Sequence, residues 1–99
     1  MRVIGSPSAL RQVALVFDYL ADFNPRTATQ VADALIATGD SLATFPHRGR
    51  PVPNTAVRDL VTAYPYIIRY RITRDAVRIL RVRHTARRPA NPRTVPLSD

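Results

Sequence analysis

Two histidines (His47 and His84), seven aspartates and fifteen arginines carry what this 99-residue chain can offer in acid–base, metal or anion chemistry. Lysine, glutamate and cysteine are absent. Neither histidine has a carboxylate at metal-ligand spacing, so no metal site is expected. Without cysteine there is no thiolate centre and no disulfide framework. The three glycines are scattered singly and make no phosphate-cradling loop. The aspartates fall on helix faces and in turns rather than as a pair suited to hydrolysis. Arginine is what remains. Through YIIRYRITRDAVRILRVRHTARR, residues 66–88, it alternates with Ile, Tyr and Val. A sheet face that sets guanidinium groups side by side accepts a repulsion that Thr or Ser would avoid. The chemistry such a face suits is the capture of an anion.

The charge distribution points the same way. Residues 1–45 hold three arginines and four aspartates, net −1, and residues 46–99 hold twelve and three, net +9. The whole excess of +8 lies in the second half and directs the protein toward nucleic acid or an acidic protein segment. The length is that of one domain. No apolar run approaches a membrane span and the N-terminus lacks a signal-peptide core, so a cytoplasmic location with no membrane partner is expected.

The elements that must position these arginines can be read from pattern. Arg2 to Ile4 reads as a short strand. Ser6 then Pro7 is a helix start, a capping hydroxyl followed by proline where its missing N–H costs nothing. Leu10, Val13, Ala14, Phe17, Leu20 and Ala21 recur at the spacing of one helical face, predicting a helix from Pro7 to Asp22 with that stripe on the core. Asn24–Pro25 repeats the device, and Ala28, Val31, Ala32, Leu35 and Leu42 form a second stripe, with Gly39 on the same side. Pro46 stops it. So close a restart predicts an antiparallel helical hairpin. PHRGRPVPNTA, residues 46–56, reads as a rigid loop.

Val57 to Thr62 and Tyr66 to Ile72 read as strands. In the second, Tyr66, Ile68, Tyr70 and Ile72 point one way and Ile67, Arg69 and Arg71 the other. A turn at Arg74–Asp75 places Val77 opposite Ile72 and Ile79 opposite Tyr70. The adjacent apolars Ile79 and Leu80 then break the alternation, which fits either a bulge or a strand buried on both faces. By this pairing Arg69, Arg71 and Arg78 share the face away from the helices. Arg81 and Arg83 follow near the strand end, Arg58 is added from the preceding strand, and Arg48 and Arg50 extend the field from the loop. Tyr64 reads as the one surface tyrosine of this region. Residues 1–88 make the domain, and 89–99 read as a Pro/Arg-rich tail without periodicity.

The ordered set SPSALRQ, LATFPHRGRP, RDLV, YPYIIRYRI and VRILRVRHTARRP resembles the RelE/ParE superfamily of type II toxin–antitoxin toxins over nearly residues 2–89. The resemblance implies an α+β fold, a helical hairpin packed on a twisted, mainly antiparallel sheet of about four strands. It also implies a growth-inhibiting toxin neutralised by a cognate antitoxin, with the stoichiometry of the complex open between heterodimer, heterotetramer and larger. Arg48, Arg50, Arg69, Arg71, Arg78, Arg83, Arg87 and Arg88 are then the expected antitoxin- or target-binding residues.

Two mechanisms share that fold. ParE-like members poison DNA gyrase by protein contact, and the -ILRVRHTARR- ending looks more like that branch. RelE-like members cleave messenger RNA on the ribosome, typically using lysines, arginines, a glutamate or a late tyrosine. This chain has no Lys, no Glu and no Tyr after Tyr70. On the nuclease alternative the site reduces to Arg58 and Arg81 as phosphate clamps with His84 as base or acid. Neither branch calls for a cofactor or metal. A plain nucleic-acid-binding module is disfavoured because the two helices carry only Arg11 and Arg26.

Overall fold

The structure is a computed structural model and describes residues 1–62 and 65–85. The expectations for Tyr64, Arg87, Arg88 and the 89–99 tail lie outside the described residues. The elements run β1 (Arg2–Gly5), α1 (Pro7–Ala21), α2 (Pro25–Ser41), β2 (Arg50–Pro51), β3 (Val57–Val61), β4 (Tyr66–Ile72) and β5 (Ala76–His84). The two helices pack on one face of a single sheet of order β1-β5-β4-β3-β2. The first strand pairs in parallel with β5 and every other pairing is antiparallel.

Both helix starts form as their caps dictate. Ser6 Oγ accepts the Ala9 N–H at 2.9 Å, and Asn24 Oδ1 accepts those of Arg26 and Thr27, each with proline opening the helix. Ser6 does more than cap. Its N–H donates to the Ile79 carbonyl at 2.9 Å and its hydroxyl to the Leu80 carbonyl at 3.0 Å, which ties the start of α1 to β5.

The sheet has five strands rather than about four. The extra one, Arg50–Pro51, comes from the segment that reads as a loop. Val52 donates to the Val57 carbonyl at 3.0 Å, and Asn54, at φ 62°, supplies the left-handed turn that Asn tolerates. Pro51 and Pro53 cannot extend the ladder, so the strand stays two residues long.

The β4–β5 register matches the sequence reading, with Ile72 opposite Val77 and Tyr70 opposite Ile79. The broken alternation is a bulge. Arg69 pairs with Arg81 and Tyr70 with Ile79, so Leu80 has no partner. The core beneath the helices is built from Val16, Leu35, Leu42, Leu60, Tyr66, Ile68, Tyr70, Val77 and Val82.

The α1 stripe is rotated from the expected one. Ala9 and Val16 are buried, and Val13 and Leu20 pack against the core, while Leu10 is 64% and Phe17 37% exposed. The helix is apolar nearly all round, so periodicity alone could not choose its inner face. Docking chooses it, through Ser6 at one end and through Gln12, whose Oε1 accepts the Val82 N–H at 2.7 Å.

Candidate functional site

The sheet face away from the helices carries most of the predicted arginines in register. One row runs Arg50–Asp59–Arg69–Arg81 across β2, β3, β4 and β5. The next runs Val57–Arg71–Arg78–Ile4 across β3, β4, β5 and β1, and the third runs Val61–Ile67–Arg83. Among the described residues this face carries seven arginines, Arg2 of β1 included, against one aspartate. The acid is not spread over the field. Arg69 grips it from the neighbouring strand, Nε to Oδ1 at 2.8 Å and Nη2 to Oδ2 at 2.9 Å. This hydrogen-bonded contact, opposed by partial desolvation, raises the Arg69 guanidinium above its ordinary pKa, so it stays charged at any pH where the fold survives.

Arg58 is not part of this face, a correction to the sequence reading. It stands opposite Tyr70, on the helix side, and its Nη1 donates to the carbonyls of Gly49 at 2.7 Å and His47 at 3.4 Å. The signal was available: Arg58 shares its parity with Leu60, which is buried in the core. Tyr70 completes the same clamp. Its hydroxyl donates to the Pro46 carbonyl at 2.7 Å and accepts the Gly49 N–H at 2.8 Å. A Cβ at Gly49 would lie 2.7 Å from the Tyr70 Oη and 3.0 Å from the Asp59 carbonyl oxygen, so glycine is required by this close approach. Arg48 folds back instead of extending the field, its Nη1 donating to Ser41 Oγ at 2.7 Å.

His84 lies opposite Tyr66, their rings edge-to-face at 5.1 Å, beside a cleft of about 250 Å³ between α1 and β5 that Gln12, Leu15 and Tyr19 also line. The three residues of the nuclease alternative are therefore dispersed. Arg58 and His84 face the helix side but sit opposite Tyr70 and Tyr66, four residues or roughly 13 Å apart along β4. Arg81 shares the outer face with its partner Arg69. What the fold does bring together is Arg50, Arg69, Arg71, Arg78, Arg81 and Arg83. Among the described residues no group of three or more His, Cys, Asp or Glu side chains could hold a metal, and no helix is long and apolar enough to cross a membrane.

A second surface was hidden in the sequence. Leu10, Leu15, Tyr19, Phe23 and Ile36 stand exposed on the helical hairpin, with Phe23 at 73% and its ring edge-on to Tyr19 at 5.3 Å. Beneath Leu10 and Ile36 a cleft of about 140 Å³ reaches Leu35 and Ile79. Its only signal was an excess of apolar residues over what one stripe of α1 can bury.

Known proteins share this architecture and sequence. "Toxin RelE2" of Caulobacter vibrioides is 38% identical over 86 residues, covering 87% of this chain and 97% of that protein. "Toxin RelE1" of the same organism is 33% identical over 85 residues, covering 83% and 90%. A solved structure described as "Chromosomal ParDE TA system from P. aeruginosa" superimposes with a TM-score of 0.74 over 85% of this chain and 95% of that one, at 20% identity, and so shares the fold. The profile of the family described as "ParE toxin of type II toxin-antitoxin system, parDE" matches residues 3–89. With a helical hairpin on a five-stranded mixed sheet and that match across almost its whole length, the chain belongs to the ParE toxin family of the RelE/ParE superfamily.

Proposed function

We propose that this toxin acts in the cytoplasm by poisoning DNA gyrase through protein contact, and that a cognate antitoxin neutralises it by covering the arginine face of the sheet. The observation that supports a contact inhibitor over a nuclease is the dispersal of Arg58, Arg81 and His84. General acid–base catalysis needs its groups within hydrogen-bond reach of one reacting phosphate. Here Arg58 holds backbone carbonyls on one side of the sheet, and Arg81 lies on the other. An interface has no such requirement. It needs area, a few anchors and complementary charge, which the arginine face and the exposed apolar residues of the hairpin both offer.

The test is the purified, antitoxin-free protein with DNA gyrase and supercoiled plasmid. Linear DNA should accumulate after denaturation and disappear when antitoxin is added. No trapped linear DNA from folded protein that arrests growth, together with cleaved messenger RNA on ribosomes, would overturn this reading in favour of ribosome-dependent cleavage.

A further inference from the structure

Arg71 and Arg78 face each other directly across β4 and β5, and both are exposed. Neither makes a hydrogen bond or ion pair among the described residues, whereas Arg69, one row away, is closed by Asp59. Two opposed guanidinium groups with no acid between them repel, and the fold accepts that cost. Their row continues into Val57 on one side and Ile4 on the other. We infer that Arg71 and Arg78 form a two-arginine clamp for one carboxylate side chain of an extended peptide segment, with Val57 and Ile4 receiving apolar side chains on either side of it.

The spacing supports a peptide laid across the strands. From β3 to β1 the row spans three strand separations, roughly 14 Å, and same-side residues of an extended chain repeat at about 6.6 Å. Three same-side residues therefore span the row, in the order apolar, acidic, apolar. Arginine forks bind carboxylates well, and the guanidinium pair confers the sign selectivity. A nucleic acid strand fits less well. Single-strand binders add aromatic rings for the bases to stack on, but Tyr66 and Tyr70 are buried in the core beneath the helices. Identifying the segment as part of the antitoxin rests on the toxin reading. The clamp itself does not.

The probe is a fluorescein-labelled peptide SVSESVSESVS, compared with its Glu→Gln counterpart, a 12-nucleotide single-stranded RNA and a 12-base-pair DNA duplex, by fluorescence anisotropy on the full chain. Arg71→Gln/Arg78→Gln should weaken the acidic peptide about tenfold or more, the loss of roughly one charge-assisted hydrogen bond. Arg11→Gln/Arg26→Gln removes the same charge from the helices and should change it less than about twofold. The clamp variant should melt at or above the wild type, since a like-charge repulsion is relieved. Equal losses in both variants would mean a diffuse field and overturn the clamp. So would a wild type that does not prefer the acidic peptide, a clamp variant that melts lower, or a tenfold effect confined to RNA or DNA. Trapped gyrase–DNA without peptide preference sinks the clamp alone, and peptide binding without gyrase trapping sinks the gyrase reading alone.

Discussion

Arg69 and Asp59 meet across neighbouring strands in a two-pronged ion pair at 2.8 and 2.9 Å, at the centre of an otherwise cationic face. Both side chains remain partly open to solvent, at 31% and 17%, so the pair is worth less than a buried one and more than a lone surface contact. Asp59→Ala should cost on the order of 1 kcal/mol and lower the melting temperature by roughly 4–8 °C. A double-mutant cycle with Arg69→Ala should return a coupling of roughly 0.5–1 kcal/mol. Additive single-mutant losses would show the pair to be energetically idle.

Tyr70 is fully buried and its hydroxyl serves both Pro46 and Gly49. Tyr70→Phe leaves that carbonyl and that N–H without their partner, at a cost of about 2 kcal/mol. Amide exchange at Gly49 should accelerate well before the core strands are affected. A melt within a degree of wild type would show that water replaces the hydroxyl.

Ser6 combines a helix cap with two bonds to β5. Ser6→Ala keeps the backbone donor to Ile79 but removes the cap and the bond to Leu80, for a loss of roughly 1–2 kcal/mol. Thermal unfolding should fall by about 5–10 °C. Ser6→Thr, which keeps a capping oxygen, should recover most of it.

If inhibition is by contact, Arg81→Ala and His84→Ala should each weaken it by less than about tenfold, because interfaces lose function gradually outside their anchors. A nuclease would lose about 100- to 10,000-fold on removal of its acid or base. Growth-arrest assays beside gyrase and translation readouts separate the two. Arg58→Gln should act first on stability, by releasing the carbonyl of Gly49.

Much of this fold could be read from particular residues. Ser6–Pro7 and Asn24–Pro25 fix both helix starts because each pair sets a cap and a backbone angle at once. Arg74–Asp75 fixes the hairpin register because a two-residue turn admits one pairing. The rest depended on long-range contacts. Nothing local tells that α1 turns Val16 rather than Phe17 inward, since Gln12 and Ser6 find their partners 70 or more residues away. Arg50 becomes a strand residue only because Asp59 stands beside it. Arg69, Arg71 and Arg78 were legible as outward-facing from strand alternation, and Arg81 and Arg83 join them only through the bulge at Leu80, whereas the exposed hairpin surface was masked by a stripe that looked complete.

The unpaired Leu80 sets the phase of everything after it. Before it, Val77 and Ile79 face the core; after it, Val82 does, and Arg78, Arg81 and Arg83 all come out on one side. Strict alternation would have put Leu80 and Val82 in solvent and turned two guanidinium groups into the core. Loss of this one codon would join Ile79 directly to Arg81 and leave every later side chain on the face it now occupies, straightening the strand without turning an arginine inward. A lineage can therefore keep the arginine face with β5 one residue shorter, because the bulge absorbs a residue for which the alternation has no place.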